Sequence, residues 1–216
     1  MATLNEIVYN LATQVGKPDD VVLRERLKMM VAYYRALFIR QDQQRNFSIP
    51  SQFIQQLDCL EMEEASAMEC CYQENIGCTV WRTVKKVPRP VRLYDGSDFI
   101  YVGTVDAKQP YQRTTAVQAD YSRYSKWSKQ HPQYIYTNDR IYVYNTTPKK
   151  ILVKGIFEDP SDLYGYVCCN NTEIFTADME YPMSMDMVQR VSQSILSLEL
   201  RLEDRTDDAS EIQLSE

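Results

Sequence analysis

Residues 183–204, "MSMDMVQRVSQSILSLELRLED", decide the fold class. Met183, Met187, Val191, Ile195 and Leu198 recur at steps of four and three, the spacing of one apolar helical face, and Ser184 stands where a helix start needs a capping oxygen. Pro182 ends what comes before, which reads as strand. "KILVKGIFED" (150–159) alternates through Leu152, Lys154 and Ile156, and "YIY" and "IYVYN" flank the hairpin turn "TNDR". Further upstream "CLEMEE" (59–64) alternates, "CTVWRTVKKV" (78–87) is rich in β-branched and aromatic residues, and "VRLY" (91–94) reads as a short strand after Pro88 and Pro90, ended by the turn "DGSD". One helix falls inside this region, over 114–128, capped by Thr114 or Thr115.

The chain opens with helices again. Leu4, Ile7, Val8 and Leu11 mark a first helix, broken at Gly16-Lys17-Pro18. Asp19 and Asp20 offer caps for a long second helix ending near Gln44, with Leu23, Leu27, Met30, Tyr34 and Leu37 on its apolar face and Arg24, Glu25, Lys28, Arg35 and Arg40 on its polar face. Ser51 heads one further turn through Phe53, Ile54 and Leu57. The order helices, strands, helix predicts an α+β protein whose terminal helices pack as a helical core around an inserted, mostly antiparallel β domain. The expected divisions are 1–57 (helical), 58–181 (β-rich), 182–203 (helix completing the core) and 204–216 (acidic, flexible tail).

A chain of 216 residues with 44% hydrophobic and 25% charged residues is long enough to bury a core without metal or disulfides. No signal peptide or apolar membrane span is evident, so a cytosolic, reducing compartment and six mostly free cysteines are expected. The net charge of −6 disfavours a general nucleic-acid binder. Its distribution is uneven: Asp58, Glu61, Glu63, Glu64, Glu69 and Glu74 lie between Arg45 and Arg82 with no intervening base, and "RTVKKVPRPVR" (82–92) then carries Arg82, Lys85, Lys86, Arg89 and Arg92 with no acid. Opposed blocks of this kind either solvate two ordinary faces or pair head to tail between copies in a ring.

Catalytic signatures are weak. His131 is the single histidine, in a polar stretch before Pro132, and neither a GxSxG elbow nor a phosphate-binding glycine loop occurs. Cys59, Cys70, Cys71 and Cys78 are spaced wrongly for zinc, with Cys168-Cys169 far away, and vicinal cysteines in extended chain point to opposite faces. No cofactor or metal is expected. Nine of the sixteen tyrosines lie between Tyr94 and Tyr144, near Arg113, Arg123, Lys126, Trp127 and Lys129, so segment 113–129 supplies an alternative reading as a nucleic-acid-binding module. Against it, tyrosines on strands pack cross-strand and fill subunit contacts.

Taken together, "MATLNEIVYNLA" (1–12), "YYRALFIRQD" (33–42), "ECCYQENIGCTVWRTVKKVPRPV" (69–91), "YVGTVDAKQPYQRTT" (101–115), "IFEDP" (156–160), "EYPMSMDMV" (180–188) and "LSLELRL" (196–202) resemble the ring proteins of the short tail of crAss-like gut bacteriophages. The resemblance implies a virion structural protein of the neck and tail, made in the bacterial host cytoplasm and without enzyme activity. It implies a closed ring of twelve copies beneath the portal, in contact with portal protein and other tail ring or tube proteins, with genomic DNA passing through its lumen and no membrane partner. It brings no catalytic residues. The residues expected at subunit interfaces or the DNA channel are Glu61, Glu63, Lys85, Lys86, Arg89, Arg92, Arg123 and Lys126.

Overall fold

Thr3 starts helix α1 (Leu4–Gln14) with a reciprocal cap: its hydroxyl accepts from the Glu6 amide while the Glu6 carboxylate accepts from the Thr3 amide. The computed structural model describes residues 2–46, 50–65, 80–122, 125–127 and 130–198. These carry four helices and a seven-stranded, mostly antiparallel sheet, an α+β fold. The chain forms two compact units, one from the described residues of 1–53, 158–161 and 176–216 and one from those of 54–157 and 162–175.

In the first unit α1 buries Leu4, Ile7, Val8, Leu11 and Ala12, and packs on α2 (Val21–Asn46). The Asp20 carboxylate caps α2 by accepting from the Leu23 amide at 3.1 Å. The buried stripe of α2 differs from the one its sequence suggests: Leu27, Val31, Ala32, Arg35, Ala36, Ile39 and Gln43 are inside, whereas Leu23, Met30, Tyr34 and Leu37 are half-buried. Arg35, expected on the polar face, has no solvent exposure. Its Nε donates to the Pro182 carbonyl at 2.9 Å and its guanidinium lies 5.8 Å from the centre of the Tyr181 ring, so a carbonyl and an aromatic face replace water around the charge. Helix α4 (185–198) is capped by the Ser184 hydroxyl, which accepts from the Met187 amide, and buries Met187, Val191 and Ile195 beside Met183. Arg190 joins it to α2, forking onto both oxygens of Asp42 at 2.9 and 3.2 Å with its guanidinium 4.5 Å from the Phe38 ring centre. The Tyr181 amide reaches back to the Ala2 carbonyl, and Arg40 pairs with Glu158.

The second unit holds the strands β1 (Gln55–Glu64), β2 (Trp81–Thr83), β3 (Tyr101–Gly103), β4 (Gln112–Arg113), β5 (Gln133–Thr137), β6 (Arg140–Tyr144) and β7 (Lys150–Gly155). Their order is β3-β7-β1-β2-β6-β5-β4, antiparallel throughout except for β4 beside β5. β1 begins earlier than its alternation suggests: the turn expected through Leu57 ends at Phe53 as a single 3-10 turn, and Leu57 is a buried strand residue. The register shifts between Leu57 and Leu60, with Cys59 at φ +54, so Leu57, Leu60 and Met62 all turn inward although their spacing is three and then two. β7 buries Ile151, Leu152 and Val153 in succession, as a strand covered on both faces does. In the β5–β6 hairpin Asn138 and Asp139 take φ +54 and +59, the left-handed pair that a two-residue turn demands. Gly103 is needed because a Cβ there would overlap the Gln109 carbonyl and the Tyr101 hydroxyl.

Two expected elements differ. "VRLY" is not a regular strand; the Val91 amide bonds the Ile156 carbonyl at 2.7 Å, and Pro88 and Pro90, which lack amide protons, interrupt any longer ladder. The helix expected over 114–128 is α3 (Ala116–Ser122), capped by reciprocal bonds between Thr115 and Gln118, and residues 125–127 form a turn.

Candidate functional site

The strap that follows β2 alternates inward and outward. Val87, Val91 and Leu93 are buried in the second unit, while Lys85, Lys86, Arg89 and Arg92 are exposed. Its anchors are local: the Val87 amide bonds the Asp139 carbonyl, the Tyr166 hydroxyl donates to the Lys86 carbonyl, and the Tyr136 hydroxyl donates to the Val87 carbonyl at 3.2 Å. Lys85 is partly engaged at home, donating to the Gly165 carbonyl at 3.0 Å with its ammonium 5.4 Å from the Tyr166 ring centre. Arg89 has only a long contact of 3.7 Å to Asp139, and its side chain is 76% exposed. The strap therefore presents Lys86, Arg89 and Arg92 outward on a backbone pinned from behind.

The acidic candidates divide. Glu63 is held within the chain, accepting from Arg82 at 2.8 Å and from Arg140 at 3.5 Å, and Arg140 also donates to the Thr83 carbonyl at 2.9 Å. Glu61 lies opposite Lys150 in the β1–β7 register, 4.0 Å from its ammonium, and its side chain remains 69% exposed. Glu61 and Glu63 share a strand face, as their spacing implies, but only Glu61 is left largely in solvent.

Segment 113–129 is partly consumed by its own fold. Arg113 donates to the Gly96 carbonyl and pairs with Asp98 at 3.2 Å, which pins the turn at Asp95-Gly96-Ser97. The Asp95 carboxyl sits below its ordinary range chiefly because the Ser97 hydroxyl and amide donate to it. Lys126 is exposed in the turn after α3; Arg123 and Lys129 lie outside the described residues. His131 is exposed, and its backbone carbonyl accepts from the Asn145 amide group at 3.2 Å.

The cysteines correct an expectation. Cys59 and Cys169 form a disulfide across 110 residues of sequence, where free thiols were expected. The β1 irregularity and the tight turn at 168–171 bring them together, a long-range pairing that local spacing does not encode. Cys168 is free and half-buried, and Cys70, Cys71 and Cys78 lie outside the described residues. Among the described residues no group of three or more His, Cys, Asp or Glu is placed to hold a metal ion, and no helix is long and apolar enough to cross a membrane.

The strongest apolar surface signal among the described residues lies on α2 and α3. The most exposed large apolar side chains among the described residues are Trp127, at 83%, then Val22, Tyr121, Val21, Met29, Val117, Met185 and Tyr33, the last at 64%. All but Met185 lie on the outer side of α2 or on α3 and its following turn. Val117, Tyr121 and Trp127 stand on connected helical faces in the sequence, though their spacing does not say that they face out; the spacing at 22, 29 and 33 is hidden by the apolar stripe through Leu23, Leu27, Met30, Tyr34 and Leu37 on the same helix.

A family model described as phage tail ring protein 2 matches residues 6–212 of the chain. No curated protein matches it.

Proposed function

Because the chain belongs to the crAss-like phage tail ring protein family, matched over residues 6–212, we propose that it assembles as a closed ring of twelve copies in the neck of a short-tailed virion. The ring joins portal to tail, has no enzymatic role, and conducts genomic DNA through its lumen. The observation that supports the channel is the strap: Lys86, Arg89 and Arg92 are exposed on a segment without a single acid from Arg82 to Arg92 in a protein of net charge −6. A short cationic row on an acidic body favours a passing polyanion locally while the body keeps it from adhering, and such contacts weaken steeply with salt.

Glu63 is removed from the proposed intersubunit set by its bonds to Arg82 and Arg140, and Glu61 is retained. The reading of 113–129 as an independent nucleic-acid-binding module is weakened by the same logic, since Arg113 is spent on Gly96 and Asp98.

Mass photometry and negative-stain imaging of the full chain, alone at rising concentration and with portal protein, test the ring. Annular particles are expected, and a species that stays monomeric under both conditions overturns it. For the channel, the assembled ring is titrated with short duplex DNA over increasing salt. Lys86→Glu with Arg89→Glu and Arg92→Glu is expected to flatten the salt slope without dispersing the ring; an unchanged slope removes the strap from the lumen.

A further inference from the structure

The hairpin over 163–175 lies against the strap with little of its own in the core. Leu163 and Phe175 are buried at its two ends, and none of residues 164–174 between them is. Its backbone bonds close on themselves. The Tyr166 amide donates to the Leu163 carbonyl, the Ile174 amide to Tyr166, the Cys168 amide to Thr172 and the Asn171 amide to Cys168, with Val167 bridged to Glu173. Bonds of that kind shape a hairpin without fixing where its tip rests. A segment with few buried apolar contacts opens readily unless another tie holds it.

The tie here is covalent, since Cys169 at the tip is joined to Cys59 in β1. Cys59 holds its end from left-handed backbone at φ +54, a conformation that a residue with a Cβ adopts reluctantly. Cys169 is exposed and Cys59 half-buried, so a small thiolate can reach the Cys169 sulfur.

The hairpin in turn holds the start of the strap. The Gly165 carbonyl accepts from Lys85 at 3.0 Å, the Tyr166 ring centre lies 5.4 Å from the same ammonium, and the Tyr166 hydroxyl donates to the Lys86 carbonyl. Val87 is anchored differently, on Asp139 and Tyr136 of the β5–β6 hairpin. Lys85 and Lys86 are thus gripped by a segment whose own position depends on a reducible bond, and Val87 is gripped by the sheet.

We propose that the Cys59–Cys169 disulfide is a thiol–disulfide exchange site, and that its reduction by small-molecule thiols of the glutathione class releases the 163–175 hairpin and its hold on Lys85 and Lys86. A thiolate attacks Cys169 Sγ, the bond to Cys59 breaks, and Cys59 leaves as a thiolate that takes up a proton. A second small thiolate then attacks the small-molecule sulfur of the mixed disulfide, and Cys169 leaves and is protonated in the same way. Two small thiols become one small disulfide while the protein disulfide becomes two thiols, and the reverse exchange closes the latch. The bearing of the latch on DNA rests on the channel reading above; the latch itself does not.

The test equilibrates the full chain in glutathione buffers running from mostly oxidised to mostly reduced, traps free thiols by alkylation and locates them by mass spectrometry. Cys59 and Cys169 are expected to pass together from bridged to alkylated. Hydrogen exchange of the two forms is then compared at times short enough for the β7 amides to stay protected in both. Residues 163–175 and 84–87 are expected to exchange roughly tenfold faster in the reduced form. Cys59→Ser with Cys169→Ser should exchange fast in either buffer, and Cys168→Ser should respond as the unsubstituted chain does. A pair that stays bridged in the mostly reduced buffer overturns the proposal, as does equal exchange in the two forms or a change confined to the hairpin. Loss of the response in Cys168→Ser overturns the assignment to the Cys59–Cys169 pair. Neither readout involves DNA or assembly, so failure of the latch leaves the channel reading standing, and an unchanged salt slope in the channel test leaves the latch standing.

Discussion

Arg35 and Pro182, 147 residues apart in sequence, are joined by a 2.9 Å hydrogen bond from the guanidinium Nε to the prolyl carbonyl. The bond fixes where the chain enters α4, since Pro182 lies between the Tyr181 amide anchored on Ala2 and the cap at Ser184. A buried cation is thus used as a clamp between the two ends of the helical unit.

Removing the clamp is expected to be costly. Arg35→Ala leaves a cavity and a buried carbonyl that has lost its donor, and should lower unfolding free energy by about 3 kcal/mol in urea titrations. Arg35→Met, which keeps most of the volume and removes the charge outright, should lose less. Equal losses in the two variants would show that the volume, rather than the bond, is unimportant to the clamp.

The disulfide gives a redox-dependent stability. Cys59 and Cys169 close a loop of 110 residues, for which chain entropy predicts about 5 kcal/mol, with disulfides typically delivering about 2–4 kcal/mol. Melting the oxidised protein with and without reductant should show the drop, and Cys59→Ser with Cys169→Ser should abolish the difference. Persistence of the drop in the double variant would assign it to other thiols.

Alkali should unfold the β unit before its backbone is chemically damaged. Burial pushes the Tyr134 hydroxyl up to about 12 from its usual value of 10, and Tyr136 moves in the same direction for the same reason. The folded state keeps these protons where the unfolded state has lost them. Stability is therefore complete below pH 10 and falls as pH rises from 10 toward 12. Urea midpoints measured across this range, with tyrosinate absorbance recorded in parallel, should fall together with cooperative ionisation; Tyr134→Phe should flatten the decline.

The two acids of β1 should behave differently when reversed. Glu63→Lys sets a cation against Arg82 and Arg140 and should destabilise the monomer by roughly 1–2 kcal/mol, the exposure of the cluster holding the figure down. Glu61→Lys should leave monomer stability within about 0.5 kcal/mol, so any assembly defect it causes belongs to a contact between copies. Matching urea midpoints for the two variants would contradict the division.

Much of this was legible from local pattern. α1, the β5–β6 hairpin and α4 follow from caps, turn residues and periodicity, all of which act over a few residues. What escaped the sequence depends on distant partners. Arg35 reads as surface because guanidinium groups usually are, and only Pro182 and Tyr181 make its burial tolerable. The length of β1 was hidden because the shift at Cys59 breaks the alternation, and β3 and β4 are too short to carry any. Glu61 and Glu63 are equivalent in sequence and are separated only by which cations the neighbouring strands deliver. The apolar spacing of Val117, Tyr121 and Trp127 is visible in the sequence, but that it faces outward, and that Val22, Met29 and Tyr33 do too, depends on what packs against the other face of each helix.

The helical unit is stitched from three separate stretches of chain, and this orders events on the ribosome. The β unit has all its residues once position 175 has emerged, whereas α1 and α2 wait for residues 185–198, on the order of ten seconds after α2 itself is made. Until then α2 has no finished support for its outer row. A polypeptide that stops short of α4 therefore has every residue of its sheet but lacks Met187, Val191 and Ile195, the side chains that complete the core of the helical unit.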